Sequence, residues 1–221
     1  MTITLPPFDG SPGTADYNRN AALDVGSFQA YDLEENQSSR RYIAMFKSGN
    51  HVKVGAVGTE YYLANQYGGT IYGRVGVYDT PSEGVATYEG DYAAVLTVPQ
   101  ANPGDGPSRV SGDAQLIVDF NQALVEGQVT GRTIVDDGTS LDDVVLRATA
   151  LENGAFFGDV TNAAAKDLGD YGGVIGGPNA EEVGAVLVFT PDDLGTDPAN
   201  TEYGAFVGDQ TCITSPGVTC P

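Results

Sequence analysis

The chain has 221 residues, with thirty acidic side chains against ten basic ones and a formal net charge of −20. That balance excludes nucleic acid as a partner, because phosphate recognition needs clustered Lys and Arg, and it disfavours anionic membrane surfaces. No run approaches the ~20 apolar residues of a membrane-spanning helix; short alternating runs bounded by Gly, Asn, Asp and Pro predict an all-β chain.

Residues 1–20 contain Pro6-Pro7, Gly10 and Pro12-Gly13 and little that could build a core, so a flexible tail or linker is expected. Residues 21–82 read as a small β domain. Its candidate strands are 27–33, 40–46, 51–57, 59–66 and 70–78, with turns at Ser48-Gly49-Asn50, Gly58 and Gly68-Gly69. Tyrosines crowd this part: Tyr42, Tyr61, Tyr62, Tyr67, Tyr72 and Tyr78.

From 83 to 210 the alternation becomes regular. Ala86, Tyr88, Gly90, Tyr92, Ala94 and Leu96 share one face, while Thr87, Glu89, Asp91 and Thr97 share the other. Val110, Ala114, Leu116, Val118 and Phe120 repeat the pattern, and further strands are predicted at 123–132, 144–150, 155–161, 171–177, 183–189 and 203–208. Eight strands joined by short turns, with one apolar face, predict an antiparallel up-and-down barrel that leaves no edge unpaired. Small interior residues either leave room for a ligand or offset Tyr88 and Phe120; the pattern favours a filled interior.

The stretch 171–190 punctuates the barrel. Pro178-Asn179-Ala180-Glu181-Glu182 separates two strand-like runs, and Pro followed by carboxylates predicts one helical turn there, its glutamates capping backbone amides. Flanking glycines predict close backbone approach or sharp bending. The last segment, 211–221, is a tail holding both cysteines, Cys212 and Cys220. Their spacing predicts a local disulfide worth roughly 2–3 kcal/mol in the chain-entropy model. Such a bridge implies an oxidising compartment. Residues 1–7 carry no basic start and no long apolar run, so an exported protein would be read here without its leader.

In order, Gly84-Val85-Ala86-Thr87-Tyr88-Glu89-Gly90-Asp91-Tyr92, Gly112 to Phe120, Gly176-Gly177-Pro178-Asn179-Ala180-Glu181-Glu182-Val183-Gly184 and Gly204-Ala205-Phe206-Val207-Gly208 resemble the barrel domain of the transferrin-binding protein B family. The resemblance covers about 84–208, and 21–82 fits the position of the smaller "handle" that precedes such barrels. It implies an eight-stranded barrel after a β handle, in an exported, often lipid-anchored, non-enzymatic bacterial binding protein, secreted or at the outer-membrane surface or periplasm. It also implies capture of an iron source, either haem or an iron- or haem-carrying protein, with transfer to an outer-membrane receptor. The competing reading is an interaction module that binds a protein partner and no small ligand.

Candidate chemistry is sparse. His51, the single histidine, with Met45, Tyr61 and Tyr62 nearby in sequence, has the ligand types that haem iron takes; the alternative is a surface histidine without a role. Asp136, Asp137, Asp142 and Asp143, and separately Asp192, Asp193 and Asp197, offer carboxylates, but without EF-hand spacing calcium is not expected. An enzyme is not expected either: a Ser-His-Asp system would depend on His51 alone, and no Gly-x-Ser-x-Gly elbow occurs.

Overall fold

The computed structural model describes residues 2–5, 13–35, 40–59, 66–79, 81–98, 106–192 and 200–214. Strands β1 (Thr2–Leu5) and β2 (Gly13–Asp16) form a separate hairpin. A five-stranded antiparallel sheet follows, in the order β3 (Asn18–Arg19), β4 (Gln29–Glu35), β5 (Arg40–Ser48), β6 (Val52–Thr59) and β7 (Gly68–Arg74). The segment expected as a linker thus contains strand pairing: Asn18 and Arg19 align with Asp32 and Tyr31, and Tyr17 is buried. Of the expected strand 59–66, Thr59 closes β6 and 60–65 lie outside the described residues.

The remaining strands are β8 (Val85–Thr97), β9 (Ser108–Asp119), β10 (Leu124–Ile134), β11 (Val144–Glu152), β12 (Ala155–Thr161), β13 (Asp167–Gly176), β14 (Glu182–Phe189) and β15 (Thr201–Thr214). Each pairs antiparallel with the next, and β15 returns to β8, closing an eight-stranded barrel. Among the described residues there is no α-helix, only a 3₁₀ turn at Ala21–Leu23. The predicted fold class, an all-β barrel preceded by a small β handle, is the one observed.

Period-2 alternation sends Tyr88, Leu116, Val129, Leu146, Ile175 and Phe206 inward, all essentially without solvent exposure. The interior is filled by side chains, as the alternation of small and large residues suggests. Three strands break the rule. Ala93-Ala94-Val95-Leu96, Val183 to Leu187 and Ala205-Phe206-Val207 are buried on both faces. Their outward members Ala93, Val95, Val186, Ala205 and Val207 meet Phe28, Ile43, Met45, Val52, Val54 and Ala56 of the small sheet in a second apolar cluster. At roughly 1.5–3 kcal/mol for each large side chain removed from water, this cluster seats the handle on β14, β15 and β8.

At the barrel end, 178–180 form a turn and not the predicted helical turn, and Glu182 already belongs to β14. Gly177 and Ala180 have φ of +94° and +57°, and the Ala180 amide donates to the Gly177 carbonyl at 3.3 Å. Tertiary contacts decide this geometry. Ala180 is fully buried in the barrel mouth, and its carbonyl accepts from the Tyr88 hydroxyl at 2.6 Å and the Gln210 amide at 3.2 Å.

Among the described residues, one ion pair lies inside the barrel. Arg132 of β10 and Glu202 of β15 are 1% and 0% exposed, with Nη2 to Oε2 at 2.5 Å. The Tyr92 hydroxyl donates to the same carboxylate at 2.7 Å, Arg132 also donates to the Asp142 carbonyl, and its guanidinium stacks 5.0 Å from the Phe189 ring. Burial, reinforced by the Glu202 charge, pushes the Tyr92 hydroxyl far above its ordinary pKa, so it remains a donor. Removing one partner strands a buried charge: Arg132→Met should cost about 3–5 kcal/mol in urea unfolding. The double variant Arg132→Met/Glu202→Leu should recover most of that loss.

Candidate functional site

The handle and barrel meet at a turn. Antiparallel pairing of β5 with β6 leaves Gly49, Asn50 and His51 as the connection, and its amides need acceptors. Glu182, the first residue of β14, supplies one carboxylate for two of them and for the first amide of β6. Its oxygens accept from the amides of Asn50 at 3.0 Å, His51 at 2.7 Å and Val52 at 2.8 Å, and the side chain is 3% exposed. The expectation that the glutamates cap amides holds for Glu182, with the amides belonging to the handle. Close approach requires glycine here. A Cβ on Gly176 would lie 2.7 Å from the His51 carbonyl oxygen, and one on Gly184 would lie 2.9 Å from Val52.

A second clamp comes from Arg74 at the end of β7. Its Nε donates to the Ile175 carbonyl at 2.6 Å and Nη2 to the Gly154 carbonyl at 2.9 Å, while the guanidinium lies 4.5 Å from the centre of the Tyr78 ring. On the other side of the handle, the Ser27 amide donates to Asp91 of β8 at 2.8 Å; hydrogen bonding from the Ser27 side chain first, and then from its amide, holds that carboxyl below its ordinary pKa. Asp24 accepts from Arg19 and from the Ala30 amide, which lowers its pKa in the same direction, the arginine acting most.

The candidate residues occupy different surroundings. His51 Nε2 lies 3.1 Å from Glu181 Oε2 at the junction. Met45 is 1% exposed within the cluster between handle and barrel. Tyr61, Tyr62 and Cys220 lie outside the described residues, as does the side chain of Cys212, whose backbone aligns with Thr87. In the acidic loops, Asp136 pairs with Arg109 at 2.5 Å, Asp143 accepts from the Gly131 amide, and Asp192 pairs with Lys166 at 3.2 Å. Asp193 and Asp197 lie outside the described residues.

Beside the junction is a surface that the sequence reading did not single out. Phe157 of β12 is 65% exposed and Tyr72 of β7 is 42% exposed. The two flank a groove of about 450 Å³ with Thr149, Ala150 and Ala155, rimmed by Glu152 and Asn153. The signal was present: in Phe156-Phe157 adjacent aromatics occupy one strand, so one must point outward. Phe156 enters the core and Phe157 does not. Near it, Asp159 stands directly opposite Asp170, and on another wall Asp91 stands opposite Asp113. Like charges in register oppose folding, so the outer wall carries a negative potential that a cationic partner would relieve.

Neither a protein-family model nor a curated sequence matches the chain. Solved structures do. A double mutant of the transferrin-binding protein B vaccine antigen from Haemophilus parasuis Hp5 superposes with a TM-score of 0.52 at 14% identity, over 92% of this chain and 40% of that one. The intact Ap-TbpB, with N and C lobes, gives 0.52 at 14% identity over 92% of this chain and 44% of its own. The chain has this fold, and it spans less than half the length of those proteins.

Glu182→Ala leaves three amides without their acceptor and should lower stability by about 3 kcal/mol in denaturant unfolding. Acid should loosen the handle through Asp91 and Asp24. Their folded pKa values lie below the unfolded ones, so the stability they contribute is complete above about pH 4 and lost as pH falls through the folded values. Asp91→Asn should flatten that acid slope, measured as unfolding midpoint against pH from 7 to 2.

Proposed function

We propose that the chain is an exported bacterial binding protein without enzymatic activity, which captures an iron- or haem-carrying protein at its outer surface. The filled barrel carries this reading. Tyr88, Tyr92, Tyr171, Leu116, Phe189 and Phe206 occupy the space in which a barrel of this size would hold a small ligand, and the Ala180 turn seals one mouth. Aromatic side chains are instead offered outside, where Tyr72 and Phe157 flank the groove beside the handle, and exposed aromatics are what protein interfaces concentrate. The likeness to structures named for binding transferrin supplies the class of partner, and an outer-membrane receptor is the destination that such a role implies.

Surface-immobilised chain exposed to iron-loaded transferrin and to haemoglobin should bind at least one of them saturably. Free haem titrated into the chain should leave the Soret band at its position in buffer. Binding to neither protein would overturn the reading; a 1:1 Soret shift that His51→Ala abolishes would replace it with direct haem capture.

A further inference from the structure

β7 is the last strand of the handle sheet, and among the described residues nothing pairs with its outer edge. The phase of its backbone follows from two hydrogen bonds at the ends of the β6–β7 ladder. Thr59 donates to the Tyr67 carbonyl and Val75 to the His51 carbonyl, both at 2.7 Å. Bonded pairs recur at every second residue of an antiparallel ladder, so the odd-numbered residues of β7 bond to β6. Gly68, Thr70, Tyr72 and Arg74 therefore turn their backbone groups to the open edge. The Gly68 amide is taken by the Tyr203 hydroxyl, which leaves the backbone groups of Thr70, Tyr72 and Arg74 facing outward.

Open edges in folded proteins are blunted with charge, proline or bulges. β7 has none of these facing outward. Its sequence is Gly-Gly-Thr-Ile-Tyr-Gly-Arg, Ile71 is 65% exposed, and a Cβ at Gly69 or Gly73 would meet open space. The one charged residue, Arg74, is turned in to clamp the barrel. Under the edge lies the aromatic groove, with Tyr72 and Phe157 on either side. A strand laid along β7 would send alternate side chains into that groove.

We propose that β7 is an acceptor edge for an extended segment of a protein partner, apolar at alternate positions and flanked by Lys or Arg. The inference rests on the protein-capture reading above and specifies its mode. Charge selects the occupant. Glu152 rims the groove, Asp159 and Asp170 face each other on the neighbouring wall, and the whole chain carries −20. A second copy would bring the same charge to the edge, whereas a basic segment is attracted to it. Main-chain pairing supplies the register and the groove supplies the choice of side chain.

A phage-displayed library of random dodecamers selected on the full chain tests this. Enriched peptides should alternate apolar and polar residues between basic flanks. Bound to the best synthetic peptide, the amides of Thr70 and Tyr72 should slow at least tenfold in hydrogen exchange, while those of Ile71 and Gly73, already paired, should change little. Ile71→Lys, a gatekeeper on an exposed position, and Thr70→Pro, which removes only an edge donor, should each weaken the peptide at least tenfold; unchanged circular dichroism confirms that they fold. No enrichment, helical or proline-rich motifs, or unaltered Thr70 and Tyr72 exchange would overturn the proposal. So would concentration-dependent protection of those amides without peptide, which would make the occupant a second copy. If a captured iron-carrying protein binds both variants with undiminished affinity, the edge proposal fails and the capture reading stands. If peptides pair as expected and no such protein binds, the capture reading fails alone.

Discussion

A carboxylate drawn into an interface must find donors for its lone pairs or lose more in hydration than it gains. Glu182 finds three in the backbone amides of Asn50, His51 and Val52, and the handle cannot leave the barrel without exposing all of them. Everything near this contact is shaped to permit it. Gly176 and Gly184 let the turn and β6 come against the barrel wall, Ala180 locks the loop that presents Glu182, and the apolar cluster from Phe28 to Val207 supplies non-directional attraction around a directional anchor. Non-directional burial holds the sheet against the barrel; the carboxylate fixes its register.

The barrel repeats the same logic in its interior. Arg132 and Glu202 are placed where water cannot compete, and they engage Tyr92, the Asp142 carbonyl and the Phe189 ring as well as each other. A buried pair of this kind gives little net stability relative to apolar residues. It does connect β10 to β15 across the lumen, which joins the strand that closes the barrel to one three places away in the sheet. Outside, the opposite arrangement prevails: Asp159 against Asp170 leaves like charges in register on exposed wall.

Much of the fold was legible because period-2 alternation is local. Strand 155–161 matches β12 at both ends, and the inward set on β8 was read from Ala86, Tyr88, Tyr92, Ala94 and Leu96 alone. Where alternation stopped, the sequence was still informative, since Ala93-Ala94-Val95-Leu96 marks a strand covered on both faces. Its cover could not be named, because the partner residues, Phe28 to Ala56, are 37–67 positions away. The helical turn expected at 178–182 failed for a related reason: Pro followed by two glutamates favours a helix start locally, but Tyr88 and Gln210 hold the Ala180 carbonyl from distant strands. The pairing of His51 with Glu181 could not be read, because the two are 130 residues apart. Tyr72 and Phe157 come together only once β7 lies against β13 and β14, a juxtaposition no spacing could reveal.

The functional reading depends on handle and barrel forming one continuous surface, since the groove takes Tyr72 from one and Phe157 from the other. Native-state hydrogen exchange tests that unity most directly. The amides of His51 and Val52, bound to Glu182, should open with the same free energy as barrel amides such as Leu187, all through one cooperative unfolding. Exchange at His51 and Val52 that is faster by several kcal/mol, with the barrel still protected, would show a handle that undocks on its own and would contradict the account.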